Sequence, residues 1–156
     1  MMSSSDIVKT LENCEFFKGM EKDEIEHIAG LCQVESFEAG ERVFSQGDFG
    51  EYLYIISEGH VFLERSMDLG TRKGSVVIGI LGSGRVFGCW SALLDEPRNL
   101  MSSAACQRPT TLVKLEGSKL RELMLQRKGL GFKVLERLCF LLRDRIQGAY
   151  GAMEKI

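Results

Sequence analysis

The sequence predicts a mainly β protein with flanking helices: two N-terminal helical segments, a roll of short strands, and a long C-terminal helix. Three observations carry that expectation. Between Val34 and Leu115 the apolar residues fall in short β-rich runs. Glycines stand in nearly every gap between those runs, from Gly40 to Gly84, as tight chain reversals require. On either side of this region, apolar residues recur at helical spacing instead.

In chain order, Asp6 to Cys14 and Glu21 to Cys32 read as helices. Lys22-Asp23-Glu24 places acidic residues in the first turn of the second, and Ile25, Ile28, Ala29 and Cys32 form one stripe. A Phe16-Phe17-Lys18-Gly19 turn separates the two. The strand runs are Val34–Phe37, Arg42–Ser45, Tyr52–Ser57, His60–Arg65, Ser75–Leu81, Leu100–Ala105 and Thr110–Leu115, a set that suits a β-sandwich or jelly roll. Gly117-Ser118 then precedes a helix over Lys119–Gln126, and a longer helix runs from Leu130 to about Gln147. Leu135, Leu138, Leu142 and Ile146 share a seam of that helix, while Phe132, Cys139 and Leu141 widen its apolar area. A helix apolar on more than one side packs twice, which predicts a homodimer through this helix; packing of both faces within one chain is the alternative. The expected division is 1–33 helical, 34–116 β-roll and 117–156 C-terminal helices.

With 156 residues, 44% of them hydrophobic, the chain has material for one sizeable core. No apolar run reaches the length of a membrane span, and MMSSSDIVKT lacks the basic and apolar regions of a secretion signal. A soluble cytoplasmic protein without membrane contact is expected. Five cysteines, Cys14, Cys32, Cys89, Cys106 and Cys139, are odd in number and lack a CxxC pair, so reduced and mostly buried thiols are expected. The net charge of −2 hides an asymmetry: residues 1–116 hold 11 Lys/Arg against 18 Asp/Glu, and residues 117–156 hold 9 against 4. Because the basic residues of the tail are spread round helical turns, a solvated face is preferred over nucleic-acid binding.

Chemistry concentrates in Val86 to Met101, VFGCWSALLDEPRNLM. Gly88 lets backbone approach a ligand, and the helical turn after it aims free N–H groups outward, which favours an anion. Arg98, ten residues on, supplies the countercharge. Enzymatic action is not expected: there is no GxSxG nucleophile motif, and only His27 and His60 are available as imidazoles, too few for a cupin-type metal centre. No metal site or cofactor is expected.

The stretch Phe87-Gly88 followed by Ala92-Leu93-Leu94-Asp95-Glu96-Pro97-Arg98 resembles the phosphate-binding cassette of the cyclic-nucleotide-binding domain family. Residues 37–65, FEAGERVFSQGDFGEYLYIISEGHVFLER, resemble the first half of that family's β-roll. ILGSGRVFG at 80–88 resembles the approach to the cassette, and LCFLLRDRIQ at 138–147 the end of its long C-terminal helix. The resemblance implies a double-stranded β-helix (jelly-roll) domain like the catabolite-activator-type sensory domain without its helix-turn-helix. It implies a cassette over 87–99 and a cyclic nucleotide, cyclic AMP, cyclic GMP or a related phosphorylated compound, as ligand. Arg98 would pair with the cyclic phosphate, Gly88 would offer close backbone, and Ser91 a hydroxyl or N–H. The nine residues after Gln147 leave no room for two DNA-reading helices, so direct DNA binding is not expected.

Several positions depart from the family. The glutamate that accepts from the ribose falls on Cys89, and losing such a bond costs about 1.5–3 kcal/mol, roughly tenfold to a hundredfold or more in affinity. Asn99 and Leu100 replace a pair of small residues. Trp90 either fills core or stacks on a ligand. Arg145 matches a helix arginine that approaches the ligand in the catabolite-activator-type members, and Ala149 and Tyr150 fall where those members use hydroxyls to read adenine. The leading expectation is a regulatory nucleotide sensor that signals through its C-terminal helix. A scaffold that has lost binding and serves dimerisation or an unknown protein partner is the alternative, and a thiol sensor at Cys89, beside a helix N-terminus and Arg98, is a third reading.

Overall fold

In a computed structural model, which describes residues 2–68, 70–88, 93 and 99–154, the chain forms two four-stranded antiparallel sheets with helices at both chain ends. Helix α1 spans Ser4–Asn13, and its start is a reciprocal cap: the Ser3 hydroxyl accepts from the Asp6 amide while the Asp6 carboxylate accepts from the Ser3 amide. Helix α2 spans Lys22–Ala29, and Glu24 reaches back to the Glu21 amide in the same manner. This helix stops short of the expected Cys32. Gly30 caps it, Leu31 closes a tight turn onto the Ile28 carbonyl, and Cys32 already belongs to a strand.

The strands are β1 (Cys32–Phe37), β2 (Arg42–Phe44), β3 (Tyr52–Glu58), β4 (Val61–Asp68), β5 (Lys73–Leu81), β6 (Val86–Phe87), β7 (Ser103–Cys106) and β8 (Thr110–Glu116). One sheet has the order β1-β8-β3-β6 and the other β2-β7-β4-β5. Consecutive strands therefore often lie in different sheets, as a roll requires. Gly59 shows how tightly the β3–β4 reversal is drawn. Its φ is +111°, and a Cβ there would stand 2.7 Å from Thr110 Cα. Two strand expectations shift. The run expected from Leu100 begins at Ser103, because the Leu100 amide and carbonyl are taken by Asp48 and Gly47 of a neighbouring loop. The two-residue β6 is additional.

Helix α3 spans Gly117–Gln126 and α4 spans Lys128–Glu154. Helix α4 continues beyond the expected Gln147, since Gly148 and Gly151 cost only about 1 kcal/mol each and no proline intervenes. One core cluster joins the helices to the first sheet, with Phe16, Phe17, Ile55, Leu120 and Val134 among its members; a second, including Ile56, Val61, Phe87 and Leu112, fills the roll. On α4 the face of Leu130, Val134, Leu138 and Leu141 is buried, whereas Phe132, Leu135, Cys139, Ile146 and Tyr150 are exposed. The expected seam is therefore divided: Leu138 belongs to the core face, and Leu135 and Ile146 to the outer one.

Cys14 and Cys106 are buried, Cys32 is half-buried and Cys139 is exposed; all four are free thiols. Burial pushes the Cys14 thiol up to about 11 and Cys32 up to about 12. Among the described residues no helix is long and apolar enough to cross a membrane, and no cluster of three His, Cys, Asp or Glu could hold a metal.

The basic tail is not simply a solvated face. Arg127 bonds Asp23 at 3.0 Å and donates to His27 Nε2 at 2.9 Å; Lys133 bonds Glu24 at 3.2 Å, and Arg137 donates to the Lys18 carbonyl at 2.6 Å. These side chains fasten α4 and the residue before it to the acidic N-terminal layer.

Candidate functional site

The segment that resembles a phosphate cassette leaves the roll at β6, the edge strand of its sheet. Phe87 is 1% exposed, and its ring stacks on Tyr54 with centroids 5.1 Å apart, while Phe44 lies 5.8 Å from both. Its ring is thus a core anchor that fixes where Gly88 begins. Gly88 has φ +76°, and a Cβ there would lie 2.9 Å from the Tyr52 carbonyl oxygen and 3.2 Å from Tyr54 Cδ2. Only glycine meets both conditions without strain. Burial pushes the Tyr54 phenol up to about 12, so it stays a neutral hydroxyl at physiological pH.

The far arm of the segment is stitched to the Gln46-Gly47-Asp48 turn. The Leu100 amide donates to Asp48 at 2.7 Å, the Gly47 amide to Leu100 at 2.9 Å, and Asn99 pairs as an isolated bridge with Phe49. The Gln46 amide donates to the Ser103 hydroxyl and its side-chain oxygen accepts from Ser66, both at 2.8 Å; Arg65 donates to the Met101 carbonyl at 2.8 Å. The arm is held by backbone and by a charged donor, so its position is well determined. Beside it, a cavity of about 230 Å³ is bounded by Phe44, Phe49, Tyr52, Tyr54 and Leu100. Leu100 thus lines this hollow, and Asn99 is exposed.

From the helical side two arginines reach the segment's carbonyls. Arg145 Nη2 of α4 donates to Val86 at 3.1 Å, and Arg121 Nη1 of α3 donates to Leu93 at 3.1 Å. Leu93 itself is 3% exposed and belongs to the core cluster shared with α3 and α4. The Val86 amide donates to Glu15 Oε1 at 2.9 Å, and Glu15 also pairs with Arg85 at 3.1 Å.

Of the residues singled out from sequence, Phe87, Gly88, Asn99 and Arg145 therefore lie on or against the segment. Tyr150 stands on the outer face of α4, 62% exposed. Cys89, Trp90, Ser91 and Arg98 lie outside the described residues. Sequence reasoning missed Glu15 and Arg121. Their only signal was the opposite charge of body and tail.

Residues 34–127 match the family model described as the cyclic nucleotide-binding domain. A crystal structure of a cyclic nucleotide-binding domain from Methylobacillus flagellatus superposes with a TM-score of 0.81 at 23% identity, covering 98% of this chain and 84% of that one. A cGMP-dependent protein kinase of Caenorhabditis briggsae is 29% identical over 147 residues, 92% of this chain and 19% of the kinase. The cyclic AMP receptor protein of Thermus thermophilus is 33% identical over 91 residues, 58% of this chain and 40% of the receptor. The chain spans less than half the length of these two curated relatives.

Proposed function

Because the chain belongs to the cyclic nucleotide-binding domain family, we propose that it is a regulatory sensor that takes a cyclic nucleotide into its β-roll and signals through α4. The observation that carries this reading is Gly88. A positive φ, and a backbone pressed so close to β3 that a Cβ would stand 2.9 Å from the Tyr52 carbonyl, put bare backbone at the head of the segment that an anion would occupy. Arg98 is the proposed partner of the cyclic phosphate, with Ser91 beside it, and Trp90 and Asn99 border the ligand. The module acts by binding, without catalysis, as a soluble cytoplasmic protein. Cyclic AMP and cyclic GMP are the first candidates, and Cys89 in place of the family glutamate weakens the hold on the ribose. Ligand binding favours one placement of α4 over another. The exposed face with Phe132, Leu135, Ile146 and Tyr150 is the proposed dimerisation surface.

Calorimetric titration of the reduced protein with cyclic AMP and cyclic GMP, with Arg98→Ala as control, tests the reading. Saturable heat that disappears in Arg98→Ala is expected. Absence of heat with every nucleotide refutes it and supports the scaffold reading, which the substitution at Cys89 favours.

A further inference from the structure

We infer that Arg145, working opposite Glu15, is the positioning residue that couples the head of the cassette to α4, an inference that rests on the sensor reading above.

The argument starts from the pleat. Just before β6 the Arg85 carbonyl faces β3, accepting from the Ile56 amide, and the Gly84 amide donates to the Ile56 carbonyl. Alternation in an antiparallel pair then turns the N–H and C=O of the next residue, Val86, away from β3. Since β6 is the edge of its sheet, no further strand meets them. Val86 is fully buried as a residue, so both groups need partners.

Each partner is a side chain of opposite charge from a different helical region. Glu15, in the turn after α1, accepts from the amide, and Arg145 of α4 donates to the carbonyl. One peptide strand at the head of the cassette is thereby held between the N-terminal layer and α4. Among the described residues Arg145 is the one α4 side chain hydrogen-bonded to a strand; Lys133 and Arg137 are turned to the N-terminal layer. Arg121 of α3 likewise holds the Leu93 carbonyl, so an arginine meets the backbone at each of these two described points.

This geometry has a mechanical consequence. If β6 shifts or twists when a ligand binds, the Val86 carbonyl moves, and Arg145 either follows with α4 or lets go. A charged donor to a partly buried carbonyl is a strong bond, so following is favoured. The same link read backwards lets the position of α4 set the resting conformation of the cassette.

Hydrogen exchange by mass spectrometry on the full chain tests it, with Arg145→Met, which keeps length but has no donor, and Arg145→Lys, which keeps one. In ligand-free protein, amides at 86–88 and along 138–154 in Arg145→Met are expected to exchange about tenfold faster than wild type. Arg145→Lys is expected to restore most of that protection, and the β1–β8 pair to stay unchanged in both variants. With millimolar cyclic AMP, the change in α4 seen in wild type is expected to vanish in Arg145→Met while the change at the cassette persists. Wild-type exchange at 86–88 and 138–154 in Arg145→Met overturns the inference, as does uniform acceleration of all regions in Met and Lys variants alike. If no nucleotide alters exchange in the wild type, the sensor reading falls, and the ligand-free comparison still decides whether Arg145 ties α4 to β6.

Discussion

Replacing Gly88 by alanine tests the geometry at the head of the cassette most directly. Two costs add. An L-residue at φ +76° costs about 1–2 kcal/mol, and a Cβ placed 2.9 Å from the Tyr52 carbonyl forces β3 or the segment to move, an overpacking cost of about 1–3 kcal/mol. The sum is about 3 kcal/mol. For a chain of this size that lowers the melting temperature by about 6–12 °C. Gly40→Ala is the control, because Gly40 has φ +87° with nothing within 4 Å of its would-be Cβ, so only the conformational cost applies. That variant is expected to lose about 1.5 kcal/mol. Urea denaturation of the two variants against wild type measures the difference. If Gly88→Ala and Gly40→Ala agree within about 0.5 kcal/mol, the close approach to β3 carries no energy and the reasoning fails. Under the sensor reading, Gly88→Ala also weakens nucleotide binding, whereas Gly40→Ala leaves it unchanged.

Arg127 donates to Asp23 and holds its carboxyl below the usual range. A depressed folded value stabilises above the unfolded one and is lost as pH falls through the folded value, so Arg127→Met is expected to flatten that acid limb of a melting-temperature profile. Burial raises Cys14 from 9.0 to about 11, the opposite sign: the fold favours the neutral thiol, and this stabilisation is full below pH 9.0 and lost as pH rises toward 11. Alkaline melting curves are expected to show that loss, reduced in Cys14→Ala; identical curves for the two proteins refute it. If the outer face of α4 forms the dimer, Ile146→Glu with Leu135→Glu is expected to halve the mass measured by analytical ultracentrifugation without changing the melting profile of the monomer.

Much of the roll was legible because its signals are local. Glycine at each reversal and alternating apolar runs report conformation within a few residues, which is why β1 to β5 and β8 lie close to where the sequence puts them. The errors occur where local and distant signals compete. Cys32 fits the helical stripe of α2 by spacing, yet Gly30 ends that helix and pairing with Leu115 claims Cys32 for a strand. Leu100 looks like strand, yet its backbone is used by Asp48 and Gly47 from a turn about a third of the chain away. Strand β6 has two residues and no period to detect. Glu15 and Arg121 act over separations of 71 and 28 residues, which no pattern in their neighbourhoods encodes. Of the candidate site, Gly88 was legible through residue type, because a close backbone approach has one natural occupant.

The charge asymmetry gains a meaning from where the tail's cations go. Exposed ion pairs such as Arg127 with Asp23 contribute little stability each, so their value lies in fixing orientation. The burial that holds α4 is its apolar face of Leu130, Val134, Leu138 and Leu141, all in about the first four turns of the helix. Beyond Leu141, Leu142 packs half-buried against the core, Ile146 and Tyr150 are exposed, and Arg145 makes the one bond to a strand found among the described residues. The anchored and the weakly held halves therefore differ in what must be broken to move them: a packed core for one, one hydrogen bond and a few contacts for the other. Under the sensor reading, a helix built this way is expected to pivot at its second half while its first half stays in the core. The weakly held half then lies next to the head of the cassette, joined to it through Val86, which is the arrangement the sensor reading requires.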